Sequence, residues 1–230
     1  MGKLTIRPLF DAPTSTFTYL LYLETGQALL IDSVKEQFER DLKLVSELGL
    51  SLKYLIETHV HADHITGAGL LSEKTAAKIV YGAKSGVQSA DLLINDGESI
   101  DLEGTSIIGL STPGHTAGCT SWLIEGQVFT GDSLMIRGCG RTDFQQGSSE
   151  VLYQSVHQQL FSLSDQTRIY PGHNYQGHPW STVGEEKMYN PRLGGQKSLE
   201  EFKRIMDNLK LAPPQRLAQS VPANLKCGKD

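Results

Sequence analysis

The chain has 230 residues, 39% hydrophobic and 20% charged, a composition that excludes disorder and lets a core form without metal or disulfide staples. Against 26 acidic residues stand 21 basic ones, and the net charge of -5 gives no electrostatic reason to expect nucleic acid or an anionic membrane as partner. No run approaches the roughly 18–20 apolar residues of a spanning helix, and no basic-then-apolar leader opens the sequence.

A strand-like stretch begins almost at the first residue. Thr16 to Glu24, rich in Thr, Tyr, Phe and Leu, reads as the next strand, and Ala28–Asp32 follows after the turn at Thr25-Gly26-Gln27. Ser33-x-x-Glu36 reads as a capping box for a helix carrying Phe38, Leu42, Val45 and Leu48 on one face, with Gly49 as its stop. Lys53–Thr58 is a strand running into a histidine cluster. After Gly67 come a short helix and strands at Lys78–Tyr81 and Ser106–Leu110, then a hairpin of Ser121–Ile124 and Val128–Thr130 around Glu125-Gly126. A helix from about Ser149 to Leu160 buries Leu152, Val156 and Leu160. Thr167–Tyr170 is a last strand. A second capping box, Ser198-x-x-Glu201, opens a helix that buries Leu199, Phe202, Ile205 and Leu209 and stops at Pro213-Pro214. Interspersed strands and helices indicate an α/β or α+β layered fold. Glycine and proline are scattered, so residues 1–230 read as one domain, with 174–230 as a C-terminal helical appendage.

Histidines and aspartates gather after strands. His59, His61, Asp63 and His64 follow Lys53–Thr58, His115 follows Ser106–Leu110, Asp132 follows Val128–Thr130, and His173 follows Thr167–Tyr170. Strand ends of one sheet edge converge in space, so these residues can meet at one point. His59 and His61, two apart on extended backbone, project to the same side. Three imidazoles and a carboxylate in six residues form a dense set of metal donors. His157, within a helix, and His178, before Pro179, read as ordinary structural residues. Cys119, Cys139 and Cys227 include no C-x-x-C pair, which points to free thiols in a reducing cytoplasm. A mitochondrial matrix protein whose leader had been removed reads the same way. Nothing near these thiols argues for a lowered pKa, and none is assigned a catalytic role.

Thr58–Gly67, Thr112-Pro113-Gly114-His115-Thr116, Thr130-Gly131-Asp132 and Pro171-Gly172-His173 together resemble the metallo-β-lactamase fold. That resemblance implies an αββα sandwich with the metal at one sheet edge. Gly138–Gly147, Leu152–His157, Asn190-Pro191-Arg192-Leu193 and Val221-Pro222-Ala223-Asn224 narrow it to the persulfide dioxygenases. The narrower resemblance implies one iron(II) per chain on His59, His115 and Asp132, a facial triad with open positions. His61, Asp63, His64 and His173 then hydrogen-bond ligands, bound water or substrate. The implied substrates are glutathione persulfide and O2, the products sulfite and glutathione, and a homodimer is a family-level expectation. Asn174 departs from the family pattern, since a human relative has aspartate there.

Glutathione carries two carboxylates, so basic residues are expected near the metal edge. Arg192 and Arg204 are the first candidates. Arg141 is a third, although it could instead hold its loop by pairing with Asp143 or Asp11. Tyr175 could reach the site with its hydroxyl. A glyoxalase II-type hydrolase of glutathione thioesters would use the same donors for two zinc ions and a bridging hydroxide. The short stretch after His173, with one clear helix, argues against it, because that hydrolase usually carries a larger helical domain. A metal-binding protein without turnover is a further alternative.

Overall fold

Residues 3–212 and 216–229 are described by the computed structural model. Two six-stranded sheets lie face to face. The first runs, in spatial order, β1 (Thr5–Asp11), β2 (Thr16–Tyr22), β3 (Gln27–Ile31), β4 (Ser51–Ile56), β5 (Lys78–Gly82) and β6 (Leu92–Ile94). The second comprises β7 (Ser99–Leu102), β8 (Thr105–Ser111), β9 (Thr120–Ile124), β10 (Gln127–Gly131), β11 (Arg168–Pro171) and β12 (Ser181–Thr182), ordered β12-β11-β10-β9-β8-β7. β3, β4, β5 and β6 pair in parallel, as do β10 and β11; the other ladders are antiparallel.

The pleat sorts alternate side chains into different layers. Tyr19, Leu21, Leu29, Ile31, Tyr54, Ile56 and Val80 of the first sheet meet Ile107, Trp122, Phe129 and Tyr170 of the second between the sheets. Their neighbours Leu20, Leu30, Leu55 and Ile79 point the other way, onto Val45 of α1 (Phe38–Glu47) and Ala68 and Leu71 of α2 (Ala68–Thr75). The outer face of the second sheet, through Val128 and Ile169, packs on α3 (Ser149–Ser155), α4 (Val183–Tyr189) and α5 (Leu199–Asp207). α6 (Leu217–Asn224) lies on the first sheet's side, where Val221 and Cys227 join its outer cluster. This is the αββα sandwich expected from sequence. Among the described residues no helix is long and apolar enough to cross a membrane.

Several local expectations are corrected. Ser33 caps no helix: a 3-10 turn at Lys35–Gln37 precedes α1 and neither has a side-chain cap. Residues 33–35 instead pair with 65–67, through Gly67 N–H to the Ser33 carbonyl at 3.0 Å and Lys35 N–H to that of Ile65 at 2.8 Å. The Ser149–Leu160 helix becomes a π-turn from Val156, with Leu152, Val156 and Leu160 fully buried. The Ser198–Glu201 capping box is present, yet α5 buries Phe202 and Met206, while Leu199, Ile205 and Leu209 are half-buried. The stop at Pro213-Pro214 lies outside the described residues. Short elements at β6, β7, β12, α4 and α6 had no counterpart in the sequence reading; α6 even contains Pro222.

Two predictions concern stability. Trp122 is fully buried between the sheets, and its Nε1–H donates to the Glu57 carbonyl at 3.2 Å. Trp122→Ala loses about 3–5 kcal/mol in urea unfolding. Burial pushes the Asp41 carboxyl up to about 6, although Arg40 Nε lies 2.8 Å away, and its Oδ2 has no hydrogen-bond partner. The folded pKa exceeds the unfolded value of about 3.9, so the native state binds the extra proton between the two. This contribution to stability is therefore complete at low pH and is lost as pH rises through about 6. Asp41→Asn removes the loss: unfolding at pH 8 becomes harder by on the order of 1–2 kcal/mol, with little change near pH 4.

Candidate metal centre

One edge of the sandwich collects the polar ends of strands from both sheets. Asp32 follows β3, Glu57–His64 follow β4, Thr112–Thr116 follow β8, Asp132 follows β10 and His173 follows β11. His59, His115 and Asp132 bring ligand atoms within 4.8 Å of one another. His115 Nε2 lies 3.5 Å from Asp132 Oδ2, and His173 Nε2 lies 3.7 Å from both Asp132 Oδ2 and Asp63 Oδ2.

Hydrogen bonds set the tautomers. The Thr58 hydroxyl donates to Asp32 Oδ2 at 2.8 Å, so its oxygen accepts from His59 Nδ1–H at 2.9 Å. His115 Nδ1–H donates to the Arg141 carbonyl at 2.6 Å and His173 Nδ1–H to that of Ser15 at 3.3 Å. Each ring thus turns its Nε2 toward the centre, and for His59 the Nε2 lone pair is free. Burial, reinforced by His61 and His115, holds His59 well below the usual imidazole pKa, in the neutral form that ligates. For His173, burial pulls the same way but is outweighed by Asp132 and Asp63, which raise it.

Of the other cluster residues, His61 and His64 are buried, while Asp63 reaches the cleft wall. His61 Nε2 lies 3.2 Å from both Asp32 Oδ1 and Glu57 Oε2. Burial would lower its pKa, but those two carboxylates lift it well above the usual value. Asp63 Oδ2 lies 3.0 Å from His64 Nδ1 and accepts from the Thr16 hydroxyl at 3.3 Å. Burial opposes ionisation of Asp63, yet His64 and His173 hold it far below the ordinary carboxylate range.

A cation fits this arrangement. Asp132 Oδ1, His61 Nδ1 and His64 Nε2 are buried without hydrogen-bond partners, at a cost of about 1–3 kcal/mol each if nothing binds them. Nitrogen and carboxylate donors suit iron, zinc or manganese. Backbone crowding fixes the ligands: a Cβ at Gly140 would lie 2.7 Å from both His115 Nδ1 and the Asp132 carbonyl, and one at Gly172 2.8 Å from Asp132 Oδ1.

The centre opens into a cleft of about 540 Å³ whose wall includes Arg137, Cys139, Arg141, Tyr175 and Arg192. Arg192 Nη1–H donates to the Cys139 carbonyl at 2.8 Å and has no carboxylate partner among the described residues. Arg141 is forked on Asp143 through two 2.7 Å hydrogen bonds and covers Phe144, so of the two partners weighed from sequence it takes Asp143. Tyr175 is 79% exposed at the mouth, its ring parallel to that of His173. Arg204 does not reach the cleft. It lies exposed on α5, two residues after the buried Phe202 and therefore on the opposite face. Arg137, which the sequence reading missed, is in the wall with φ 57°, ion-paired to Glu185 and Glu186. Burial pushes the Cys119 and Cys139 thiols up to about 11, so neither is a ready nucleophile. Asn174 Oδ1 accepts from the Gln176 and His178 N–H groups, each at 2.9 Å.

The metallo-β-lactamase superfamily model matches residues 11–173. Persulfide dioxygenase ETHE1, mitochondrial, of Homo sapiens is 48% identical over 99% of this chain and 90% of its own length. The chain belongs to the persulfide dioxygenases of the metallo-β-lactamase superfamily. A crystal structure of ETHE1 from Myxococcus xanthus, 47% identical, superposes with a TM-score of 0.95 over 98% of this chain and 100% of that one. A more distant member, TTHA1623, solved in a di-iron-bound form, is 26% identical with a TM-score of 0.66, covering 80% of this chain and 98% of its own.

Gly140→Ala tests how tightly this persulfide dioxygenase constrains its ligands. The added methyl must displace His115 or the Asp132 backbone, and metal retained through gel filtration is expected to fall about tenfold or more.

Proposed function

We propose that this persulfide dioxygenase oxidises glutathione persulfide at a single iron(II) held by His59, His115 and Asp132. The carrying observation is the convergence of a neutral His59, the Nε2 of His115 and Asp132 Oδ2 at the floor of an open cleft, each imidazole fixed through Nδ1. The reaction consumes one persulfide, one O2 and one water and yields glutathione, sulfite and two protons. Bound iron(II) supplies the O2 activation that no protein side chain offers.

The surrounding residues bind, orient and handle protons. Arg192, lacking a carboxylate of its own, receives a glutathione carboxylate, and Tyr175 closes over the tripeptide at the mouth. His173 Nε2, between Asp132 and Asp63, holds a proton for the departing glutathione thiolate. His61 and His64 stay below the ligands, engaged with Asp32, Glu57 and Asp63. Arg141 shapes the wall through Asp143 rather than meeting substrate. The free and buried Cys119, Cys139 and Cys227 suit a reducing compartment, whether cytoplasm or mitochondrial matrix.

Elemental analysis and O2 uptake test this reading. The expected result is about one iron per chain, with sulfite formed from glutathione persulfide and both lost in His59→Ala or Asp132→Ala. About two zinc ions with thioester hydrolysis overturns it in favour of the hydrolase. In Arg192→Ala the KM for glutathione persulfide rises about tenfold while kcat changes little; a KM that does not move removes Arg192 from the substrate site.

A further inference from the structure

The loop that carries His61, Asp63 and His64 lies outside the sheets and helices: Ile65 and Gly67 pair with residues 33–35, and the partner of His61, His64 and the Thr66 N–H comes from the far end of the chain. Asn224, the last residue of α6, is fully buried against it. Its Oδ1 accepts from the Thr66 N–H at 2.9 Å, and its Nδ2 donates to the His61 carbonyl at 2.9 Å and the His64 carbonyl at 2.8 Å. Both amide hydrogens and the carbonyl oxygen are therefore used, on three backbone groups that bracket Asp63 and His64. A carboxylate could not replace it, because the two carbonyls need donors.

The residues after Asn224 lie flush on the same segment. A Cβ at Gly69 would lie 2.8 Å from the Cys227 carbonyl, and one at Gly228 would collide with that of Thr66.

We infer that Asn224 is a positioning residue of the metal centre, holding the His61–Thr66 backbone so that His61 packs against His59 and Asp63 lies against His173 beside the triad. The inference rests on a metal occupying this edge, not on the identity of the metal or of the substrate. Truncating the amide leaves two buried carbonyls and one N–H unpaired and frees the loop.

The test compares Asn224→Asp and Asn224→Ser with Val221→Ala, a packing change on the same helix that touches no polar group of the loop. Metal-free protein is titrated with cobalt(II) against a chromophoric chelator, the visible cobalt bands are recorded, and urea unfolding gives each variant's metal-free stability. Both Asn224 variants are expected to bind cobalt about tenfold or more weakly, with altered bands, while Val221→Ala keeps wild-type affinity and bands at whatever stability it has. Should Asn224→Asp not fold, Asn224→Ser alone decides. Wild-type affinity and bands in the Asn224 variants, or an equal loss in Val221→Ala, overturns the inference. Persulfide turnover enters none of these readouts, so they stand whatever the outcome of the activity experiment.

Discussion

The structure depends on aiming three imidazoles at one point, and each is oriented through an acceptor on its Nδ1–H. The acceptors come from distant places: the Thr58 hydroxyl after β4, the Arg141 carbonyl in the loop beyond β10, and the Ser15 carbonyl in the β1–β2 turn. That turn belongs to the first sheet, whereas His173 follows a strand of the second. Phe17 N–H to the Gly172 carbonyl at 2.8 Å joins the sheets beside it. The tautomers are therefore correct only if the sheets are correctly apposed, which ties the chemistry of the site to the packing of Tyr19, Trp122 and Phe129 between them.

Beneath the ligands is a polar layer that water does not reach. Asp32, Glu57, His61, Thr58 and Thr66 are almost fully buried, and they compensate one another: Thr58 donates backbone and hydroxyl hydrogens to Asp32, and Thr66 donates to Glu57 at 2.6 Å. Such clusters seldom add net stability over an apolar core. This one ends at Thr58, whose orientation decides which nitrogen of His59 carries its proton. Asp41 shows the contrasting case, a buried carboxyl with one oxygen unpartnered and no such consequence.

The clustering of His59, His115, Asp132 and His173 was legible in the sequence because these residues sit at strand ends with short, glycine-marked turns, and the strands read clearly from their β-branched and aromatic runs. Ser33 misled because a capping pattern says nothing about competing partners, and Thr66 and Gly67 lie more than thirty residues away. Arg204 misled because charge complementarity with glutathione says nothing about direction, and it lies on the face of α5 opposite the buried Phe202 and Met206. Arg137 was invisible: its place in the cleft depends on a left-handed backbone and on Glu185 and Glu186 of α4, a helix of 7 residues too short to announce itself. Asn224 lay in a segment noted for its resemblance, but one residue's hydrogen bonds across 158 positions leave no pattern in a single sequence.

The parallel pairing of β10 with β11 has a consequence for how the protein comes to be made. The chain leaves β10 at Gly131, forms α3, and returns only at Arg168 to lay β11 alongside, so His173 arrives after a long crossover whose closure entropy must be met before the β10–β11 ladder forms. His59, His115 and Asp132 are thus synthesised well before the strand that completes their surroundings. The cluster at this edge therefore takes its final shape late, once both sheets have closed and His173 lies between Asp63 and Asp132.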